Sequence, residues 1–314
     1  MRGILIQSLT NTTNFLGPIA IGGGGGSGTR VVAEILKQVG FYIGSDLNSA
    51  NDNLWFTLLF KRPKWFVKNS NTESEIFKGF RIFEKAMTAS RRFMPDEYFF
   101  IMKAAFGMSF KGQDHLNSGR GVWPIKRILT ILNSSKIDVS GYIGWGWKEP
   151  NTHIYINYLH KYFNNMKYIH VIRHGLDMAY SSNHAQLYNW GNILGIKLPD
   201  SSIPLPKASL QYWIESNKRT IAFCQEFFKE RFLLLNFDQL CLEPEREISL
   251  LIAFLGLDIK HVDMDKLKSL PKIPKSTGRY KKHDLTCFNK DEIDAVCNLG
   301  FIVDFNYVGK TEKA

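Results

Sequence analysis

A run of five glycines, residues 22–26, constrains this chain more than any other feature of its sequence. The apolar residues 19–21 before the run are typical of a buried strand. Glycine tolerates backbone angles that other residues avoid, so successive N–H groups can converge on one anion at the positive end of a following helix. The alternative is a glycine-rich turn with no ligand. The helix is predicted by apolar residues at helical spacing, namely Val31, Val32, Ile35, Leu36 and Val39.

The loop lacks two residues that Mg-dependent ATPases and kinases need. Gly23 and Gly28 fit the Walker pattern G-x-x-x-x-G-K-[ST], but Thr29 and Arg30 stand in place of the lysine and the hydroxyl residue. Such a loop has neither the ammonium that reaches the terminal phosphates nor the hydroxyl that holds the metal. An ordinary Mg-dependent ATPase or kinase is therefore disfavoured.

The dinucleotide pattern G-x-G-x-x-G does fit, at Gly23, Gly25 and Gly28. Asp46 follows a second predicted strand, residues 41–44, about where an acid for the ribose belongs. A run of five glycines satisfies this pattern in several registers. The N-terminal region therefore leaves a dinucleotide-binding fold open.

Composition narrows the partners and the compartment. The chain has 314 residues, 44% hydrophobic and 22% charged, as in soluble globular proteins with a sizeable core. Its net charge of +11 favours anionic partners, but without a dense basic block or a nucleic-acid motif, nucleic acid is not expected. Four widely spaced cysteines indicate reduced thiols. No stretch resembles a signal peptide or a transmembrane segment, so we expect a soluble cytoplasmic protein.

Residues 72–134 interrupt the alternation of strands and helices with helical patterns alone. Just before them, Asn51 or Asp52 is expected to cap an apolar segment, residues 54–60. Insertions of this kind commonly build a substrate pocket or a lid. Three helices are predicted in the insertion, at 72–92, 95–110 and 122–133.

The alternation resumes after this insertion and implies a parallel sheet. Strand, helix and strand follow in turn, with Asn151 or Thr152 as the expected helix cap. Another helix is expected to begin at residue 175 and extend towards residue 187, and the basic stretch 266–283 is predicted to be a loop over the ligand. The predicted strands are residues 142–147, 168–172 and 232–235.

A second anion site is indicated directly after the strand at 168–172. Ligands of open α/β sheets lie beyond the carboxyl ends of strands, and Arg173 occupies that position. Its guanidinium can grip a phosphate with two hydrogen bonds, and Ser181, about two helical turns further on, can donate its hydroxyl. The alternative is a structural salt bridge between Arg173 and Asp177.

With these two sites the chain resembles the sulfotransferase family, whose members take a sulfuryl group from 3′-phosphoadenosine 5′-phosphosulfate (PAPS). The order and spacing of four segments between residues 18 and 257 carry the resemblance, and residues 278–283 show a weaker similarity to the family. It replaces the dinucleotide interpretation, which gives no reason for a second phosphate clamp at Arg173. The segments are IGGGGGSGTRVVAEIL, GWGWKEPNTH, HVIRHGLDMAYSS and RFLLLNFDQLCLEPEREISLLIAFLGL.

The resemblance implies a P-loop-like sulfotransferase fold, an α/β architecture with a central parallel sheet flanked by helices. No repeat or linker divides the sequence, so residues 1–314 are expected to form one domain. This domain would include the helical insertion at about 72–134 and a C-terminal capping loop at about 266–283. The resemblance also implies PAPS as co-substrate, adenosine 3′,5′-bisphosphate (PAP) as product, and no metal.

Residue roles are carried over from the family by position. The 5′-phosphosulfate is expected on the glycine loop, and the 3′-phosphate on Arg173 and Ser181. Phe237 stands where the family often has an aromatic ring near the adenine, and Arg279 and Lys281 are expected to close over the nucleotide. The expected loop residues are Gly25, Gly26, Ser27, Gly28, Thr29 and Arg30.

One loop position departs from the family. Many members carry Lys or Arg two residues before the glycine that matches Gly28, to neutralise charge on the departing oxygen. Here that residue is Gly26. Lys148 or Arg30 is expected to supply the cation instead, and Lys148 is favoured because its neighbours resemble a segment that lines the transfer site.

Transfer also needs a base that takes the proton of the acceptor. Asp52 is favoured, because its surroundings resemble the place where glycan-modifying and tyrosine-modifying members keep a catalytic Glu. Four other residues remain open as the base, namely Glu149, His153, His184 and Asp46.

The sequence thus predicts a sulfotransferase that moves a sulfuryl group from PAPS to a hydroxyl or amine by in-line transfer without a metal. The aromatic and basic insertion is compatible with a glycan, a lipid-linked or a small-molecule acceptor. Two alternatives stay open: another nucleotide-dependent transferase or kinase, and a non-catalytic nucleotide-binding protein. The sequence indicates neither a particular acceptor nor an oligomeric state.

Overall fold

Five parallel strands form the centre of the fold, as the sequence predicted. The strands are β1 (Leu16–Gly23), β2 (Phe41–Tyr42), β3 (Gly144–Lys148), β4 (Lys167–Ile172) and β5 (Phe232–Asn236). The computed structural model describes residues 15–89, 92–107 and 122–304, and within these ranges the strand order is β2-β3-β1-β4-β5. Every neighbouring pair is parallel. The second strand is shorter than the predicted 41–44 and ends at Tyr42.

Helices fill the connections between the strands. They are α1 (Thr29–Gln38), α2 (Leu54–Phe60), α3 (Pro63–Asn69), α4 (Glu73–Thr88), α5 (Pro95–Gly107), α6 (Val122–Leu132), α7 (Ile156–Tyr162), α8 (Gly175–Ala179), α9 (Ala185–Trp190), α10 (Leu205–Phe227), α11 (Phe237–Leu242), α12 (Pro244–Leu255), α13 (Met264–Lys268) and α14 (Lys290–Asn298). The three helices predicted in the insertion correspond to α4, α5 and α6. Residues 90, 91 and 108–110 of that prediction lie outside the described part of the chain. Among the described helices, none combines the length and apolar character that a bilayer-spanning segment needs.

The direction of the connections opens a crevice at the centre of the sheet. After β1 the chain turns through α1 towards β2 at one edge, whereas after β4 it proceeds to β5 at the other edge. Because β1 and β4 are hydrogen-bonded neighbours, their carboxyl ends diverge at a topological switch point. Ligands of open α/β sheets bind at such a point, so the fold alone places a site between the loops that follow β1 and β4.

Apolar layers cover the two faces of the sheet. One layer includes Val32 and Leu36 of α1 together with Leu251 of α12, all buried. The other is aromatic, and in it Phe56 stacks on Trp147 with ring centroids 5.7 Å apart. A strand that is buried on both faces does not alternate between apolar and polar residues. This is why β1 and β4 appear in the sequence as nearly continuous apolar runs.

Asp46 anchors the insertion to the rest of the fold. Its Oδ2 accepts hydrogen bonds from Arg127 Nε at 2.7 Å and from Thr130 Oγ1 at 2.5 Å, both on α6. Asp46 and Arg127 are buried. Trp55 of α2 adds a bond from Nε1 to Thr130 Oγ1 at 3.0 Å. The carboxylate considered as a ribose ligand or a base is therefore engaged in a structural ion pair.

Two helix caps differ from the prediction. The cap of α2 is Asn53, whose Oδ1 accepts the amide of Phe56 at 3.0 Å, rather than Asn51 or Asp52. Three cap-forming residues stand in a row here, and tertiary contacts decide among them. The turn that leads into α7 is capped by Glu149 rather than by Asn151 or Thr152, since Glu149 Oε2 accepts the amide of Asn151 at 2.7 Å.

The helix expected from residue 175 towards residue 187 is broken. It ends at Ala179, and α9 begins only at Ala185. Between them Ser181 Oγ accepts the amide of Asn183 at 3.2 Å, and Asn183 Oδ1 accepts the amide of Ala185 at 3.2 Å. Short polar side chains that bond to the backbone compete with helical hydrogen bonds, which explains the break.

Asp46→Ala tests the anchor. It removes one partner of a buried ion pair and leaves Arg127 buried with an uncompensated charge, so we expect the free energy of unfolding to fall by about 3 to 5 kcal/mol. Urea titration followed by tryptophan fluorescence measures the change. Glu215→Ala is the matched control, because it breaks an exposed pair with Arg219 and should cost below about 1 kcal/mol. Equal small losses in both variants would contradict the anchor.

Candidate functional site

The glycine loop turns from β1 into α1 through backbone angles that require glycine. Gly23, Gly26 and Gly28 have φ values of +144°, +98° and +92°. A Cβ atom on Gly28 would lie 2.1 Å from Cδ2 of Phe237, and one on Gly23 would lie 2.3 Å from the carbonyl oxygen of Val171. These close approaches let the loop sit directly against the ends of β4 and β5.

Internal and long-range hydrogen bonds hold the loop in shape. The amide of Ser27 donates to the carbonyl of Gly24 at 3.0 Å. From α9, Gln186 accepts the amide of Gly25 at 2.7 Å through Oε1 and donates through Nε2 to the carbonyl of Gly23 at 3.3 Å. Asn151 accepts a further bond from Gln186 at 3.1 Å. Sequence reasoning missed Gln186, and no local pattern marks a residue 161 positions away from its partner.

The loop presents hydrogen-bond donors that the described residues leave unused. The Ser27 hydroxyl is buried and has no hydrogen-bond partner among the described residues. The amides of Thr29 and Arg30 begin α1 at its positive end, where a helix offers no acceptor four residues earlier, whereas the next amide, that of Val31, donates to the carbonyl of Gly28 at 3.0 Å. Arg30 is exposed on the same turn. This end of the loop is therefore built to accept an anion.

Arg173 follows β4 and bridges the loop to the late part of the chain. It is buried, and its Nη1 donates to the carbonyl of Gly26 at 3.3 Å. Its Nη2 donates to Ser276 Oγ at 2.9 Å and to Thr277 Oγ1 at 3.5 Å. Its Nε has no hydrogen-bond partner in the described chain and lies 4.0 Å from Asp238 Oδ1. The prediction from sequence did not include Ser276 and Thr277.

Arg173 does not form the salt bridge with Asp177 that stood as an alternative. Asp177 instead accepts the amides of Gly278 at 2.8 Å and Tyr280 at 3.2 Å, and so fixes the turn that carries Arg279. Burial and the nearby charge of Arg173 lower the pKa of Arg279. Two neighbouring guanidiniums are suited to bind a shared anion, which is chemically consistent with the nucleotide roles predicted for Arg173 and Arg279.

Three other residues predicted to bind the nucleotide differ in how far their side chains are free to do so. Ser181 is half-buried just beyond α8, and its hydroxyl already accepts the amide of Asn183. Phe237 is buried beneath Gly28, so it supports the loop directly. Lys281 is directed elsewhere, because its Nζ lies 3.8 Å from Asp304 Oδ2. Their roles towards a nucleotide stay predictions.

The strand on the other side of β1 contributes a charged pair. Lys148, the last residue of β3, is aligned with Ile21 of β1, so it lies beside the start of the loop. Its buried ammonium forms an ion pair with Asp52 Oδ1 and donates to the carbonyl of Ala50 at 3.1 Å. Asn48 Nδ2 donates to the other carboxylate oxygen of Asp52 at 2.8 Å. The structure thus brings together the favoured cation and the favoured base.

The remaining base candidates are buried in hydrogen-bonded positions. Burial raises the pKa of Glu149 to about 7, and both of its oxygens accept bonds from Asn151. Burial lowers the pKa of His153 to about 4. His153 Nδ1 donates to the carbonyl of Pro150 at 2.8 Å, and its Nε2 accepts from the Tyr212 hydroxyl at 3.3 Å.

His184 lines a small pocket together with Gly24 and Gly25 of the glycine loop. Its Nδ1 is 2.9 Å from Ser209 Oγ, and burial lowers its pKa. Over residues 15–89, 92–107 and 122–304, no group of three or more His, Cys, Asp or Glu side chains is arranged to hold a metal ion. Around the end of β1 the structure thus brings together the glycine loop, Arg173 with the turn that carries Arg279, and the ion pair of Lys148 and Asp52.

Comparison with known proteins identifies one family. A sequence model described as the sulfotransferase family matches residues 18–261. None of the curated proteins matches the chain. A sulfotransferase domain from the olefin synthase of Synechococcus PCC 7002 is 14% identical, with a TM-score of 0.49 over 93% of this chain and 97% of that one. A sulfotransferase domain from the curacin biosynthetic pathway is 12% identical, with a TM-score of 0.44 over 93% of this chain and 100% of that one. A sulfotransferase from Mycobacterium avium is 14% identical, with a TM-score of 0.40 over 90% of this chain and 74% of that one.

Glu149→Gln tests the buried carboxyl through the pH dependence of stability. The pKa of Glu149 is about 7 in the folded protein and 4.5 in the ordinary case, so its stabilising contribution is fully present below about pH 4.5. It is lost as the pH rises through about 7, because the unfolded chain releases the proton first.

We expect the wild type to lose about 3 kcal/mol of unfolding free energy relative to Glu149→Gln between roughly pH 4.5 and 7.5. Urea titrations of both proteins across this range measure the difference, and the other titrating groups cancel in the comparison. Parallel stability profiles would show that Glu149 is ionised throughout.

Proposed function

The chain belongs to the sulfotransferase family, and from this premise we propose that it transfers a sulfuryl group from PAPS to a hydroxyl or amine acceptor. The acceptor class we propose is a glycan, a lipid-linked molecule or a small molecule. All four cysteines are free thiols, which supports a reducing compartment, and we place the reaction in the cytoplasm.

Two buried groups that lack a hydrogen-bond partner among the described residues carry the proposal. They are the Ser27 hydroxyl in the glycine loop and Nε of Arg173 at the end of β4. A buried polar group without a hydrogen bond costs free energy, so a ligand that accepts hydrogen bonds from these two groups would be stabilised there. These two groups follow adjacent strands. A nucleotide with phosphate groups at both its 5′ and 3′ positions can reach both of them, and so fits better than a ligand with a single phosphate chain.

The residues of this chain divide the binding between two positions. The amides of Gly26 and of residues 28–30, together with the Ser27 hydroxyl, would hold the 5′-phosphosulfate, with Gly25 kept in place by Gln186. Arg173, Arg279 and Ser181 would hold the 3′-phosphate. When bound, PAPS supplies the sulfuryl group and a phosphate leaving group, and the protein has to position the acceptor and stabilise charge.

Asp52 and Lys148 are proposed to carry out the transfer itself. Each carboxylate oxygen of Asp52 has one protein donor and retains a lone pair, so Asp52 can accept the proton of an acceptor hydroxyl or amine. Lys148 lies beside the start of the loop, where an ammonium can neutralise the departing oxygen in place of the absent loop lysine. Arg30 is the weaker candidate, because it is exposed on α1.

Glu149 and His153 are less suited to act as the base. The carboxyl of Glu149 caps a turn with both oxygens, and both nitrogens of His153 are engaged with Pro150 and Tyr212. Proton transfer through either group would first break bonds that hold the chain after β3. We therefore propose that Glu149 and His153 stabilise the conformation of the segment next to Lys148.

Calorimetric titration with PAP, and separately with ATP-Mg and NAD, tests the donor. We expect the wild type to bind PAP in preference to the other two. Arg173→Ala should weaken PAP binding by roughly 100-fold, because it removes charge-assisted hydrogen bonds from a buried position. Arg219→Ala, which removes an exposed arginine from α10, should change the affinity less than about twofold.

Arg173→Lys keeps the charge but loses the two-pronged geometry, so an intermediate loss of PAP affinity is expected. Unchanged PAP affinity in Arg173→Ala would remove the site assignment. Preference for ATP-Mg would favour a kinase or another nucleotide-dependent transferase. A protein that binds PAP but moves no sulfuryl group into any acceptor extract would be a non-catalytic nucleotide-binding protein.

Asp52→Asn tests the proposed base. We expect PAP affinity to be retained, while transfer of radiolabelled sulfuryl from PAPS into an acceptor extract falls by roughly 100- to 10,000-fold, the usual contribution of general base catalysis. Lys148→Ala should also slow transfer with little loss of PAP affinity. Asp200→Asn, in an exposed turn, is the control. Full activity of Asp52→Asn would place the base elsewhere, and normal transfer by Lys148→Ala would point to Arg30.

A further inference from the structure

Helices α5 and α6 of the insertion lie side by side on α2. Both contact α2 and each other. Phe100 and Ile101 of α5 are buried towards the core, as are Trp123 and Ile131 of α6. Because both helices use one side to pack on the same helix, their opposite sides face outwards together.

These outward sides are apolar instead of polar. Phe99 and Phe106 on α5 are 69% and 71% exposed, and Ile125 and Leu129 on α6 are 57% and 56% exposed. A surface helix of a soluble protein normally presents charged and polar residues in these positions. We define the α5–α6 face as the six exposed apolar residues that recur at three- and four-residue spacing: Phe99, Met102, Phe106, Val122, Ile125 and Leu129.

Among the described residues of α5 and α6, the exposed charges without an ion-pair partner are positive. Lys103 and Lys126 are exposed on the same two helices, between residues of the face. The sequence of α6 contains no acidic residue. The two acids of α5 are both paired: Asp96 lies 3.3 Å from Lys78, and Glu97 is buried and lies 2.8 Å from Lys85.

Helix α3 packs against the buried side of α5 through Trp65, whose ring lies 5.9 Å from that of Phe100. Its own lysines, Lys64 and Lys68, are exposed. Aromatic and aliphatic side chains set among lysines are the combination by which amphipathic helices enter the interface of an anionic bilayer.

We propose that the α5–α6 face docks on the surface of an anionic lipid bilayer. Its apolar side chains enter the boundary between headgroups and acyl chains, and Lys103 and Lys126 contact the anionic headgroups. A second copy of the chain fits this face less well, since an isologous contact would bring the lysines of one copy against those of the other.

The docking surface is connected to the transfer site. Arg127 and Thr130 of α6 bind Asp46, and Asp52 lies six residues further along the same loop. Docking would therefore fix the loop that carries the proposed base relative to the membrane. Taken together with the proposed function, on which this step depends, the placement favours a lipid-linked acceptor over a freely diffusing one.

Vesicle co-sedimentation with the full chain tests the docking independently of sulfuryl transfer. The probes are vesicles of equal parts phosphatidylglycerol and phosphatidylcholine, compared with vesicles of phosphatidylcholine alone. We expect selective sedimentation with the anionic vesicles, weakened by added salt. Phe99→Ser combined with Phe106→Ser should lower the bound fraction by roughly tenfold or more, as should Lys103→Glu combined with Lys126→Glu.

Leu250→Ser combined with Ile302→Ser is the matched control, because these residues are 53% and 87% exposed and lie outside the insertion. It should bind vesicles like the wild type. PAP titration of every variant reports whether the nucleotide site remains folded, and it requires no membrane. Absence of wild-type binding, or equal loss in the control, would overturn the docking. So would a dimer in solution that the two Phe substitutions dissociate, since that would assign the face to a second copy.

Discussion

The parallel pairing of β1 with β4 is the constraint on which the site depends. Gly23 is aligned with Val171, so the glycine loop begins where β4 ends and Arg173 emerges beside it. This contact is possible because Gly23 has no side chain, since a Cβ atom there would lie 2.3 Å from the carbonyl oxygen of Val171. The proposed anion positions are at the start of α1 and around Arg173.

Pairing on the other side of β1 completes the arrangement. Lys148 of β3 is held opposite Ile21 and binds Asp52 from the loop after β2. Three neighbouring strand ends thus each supply one element: the loop, an arginine for a second phosphate, and a cation paired with an acid. The insertion is fastened to the same region through Asp46, which is how a surface helix becomes relevant to the loop that carries Asp52.

The local parts of this account were accessible from sequence, and the long-range parts were not. Buried strands and the glycine loop leave a signature within a few residues, so the fold class and the position of Arg173 were predicted. The hydrogen bonds from the Gly25 amide to Gln186 and from Arg173 to Ser276 join residues 161 and 103 positions apart, and no periodicity encodes them. The prediction of the residue that caps α2 was wrong for a related reason. Asn53 and its two predecessors all suit the position, and the contact of Asp52 with Lys148 selects among them.

A crystal structure of the protein with bound PAP would locate both phosphates relative to the strand ends. We expect the 5′-phosphate to accept hydrogen bonds from the backbone amides at the start of α1 and from the Ser27 hydroxyl. We also expect the 3′-phosphate to contact Arg173, with Nε of that residue now partnered. PAP bound in the reverse orientation, or with its 3′-phosphate away from Arg173, would contradict the assignment of the two anion positions.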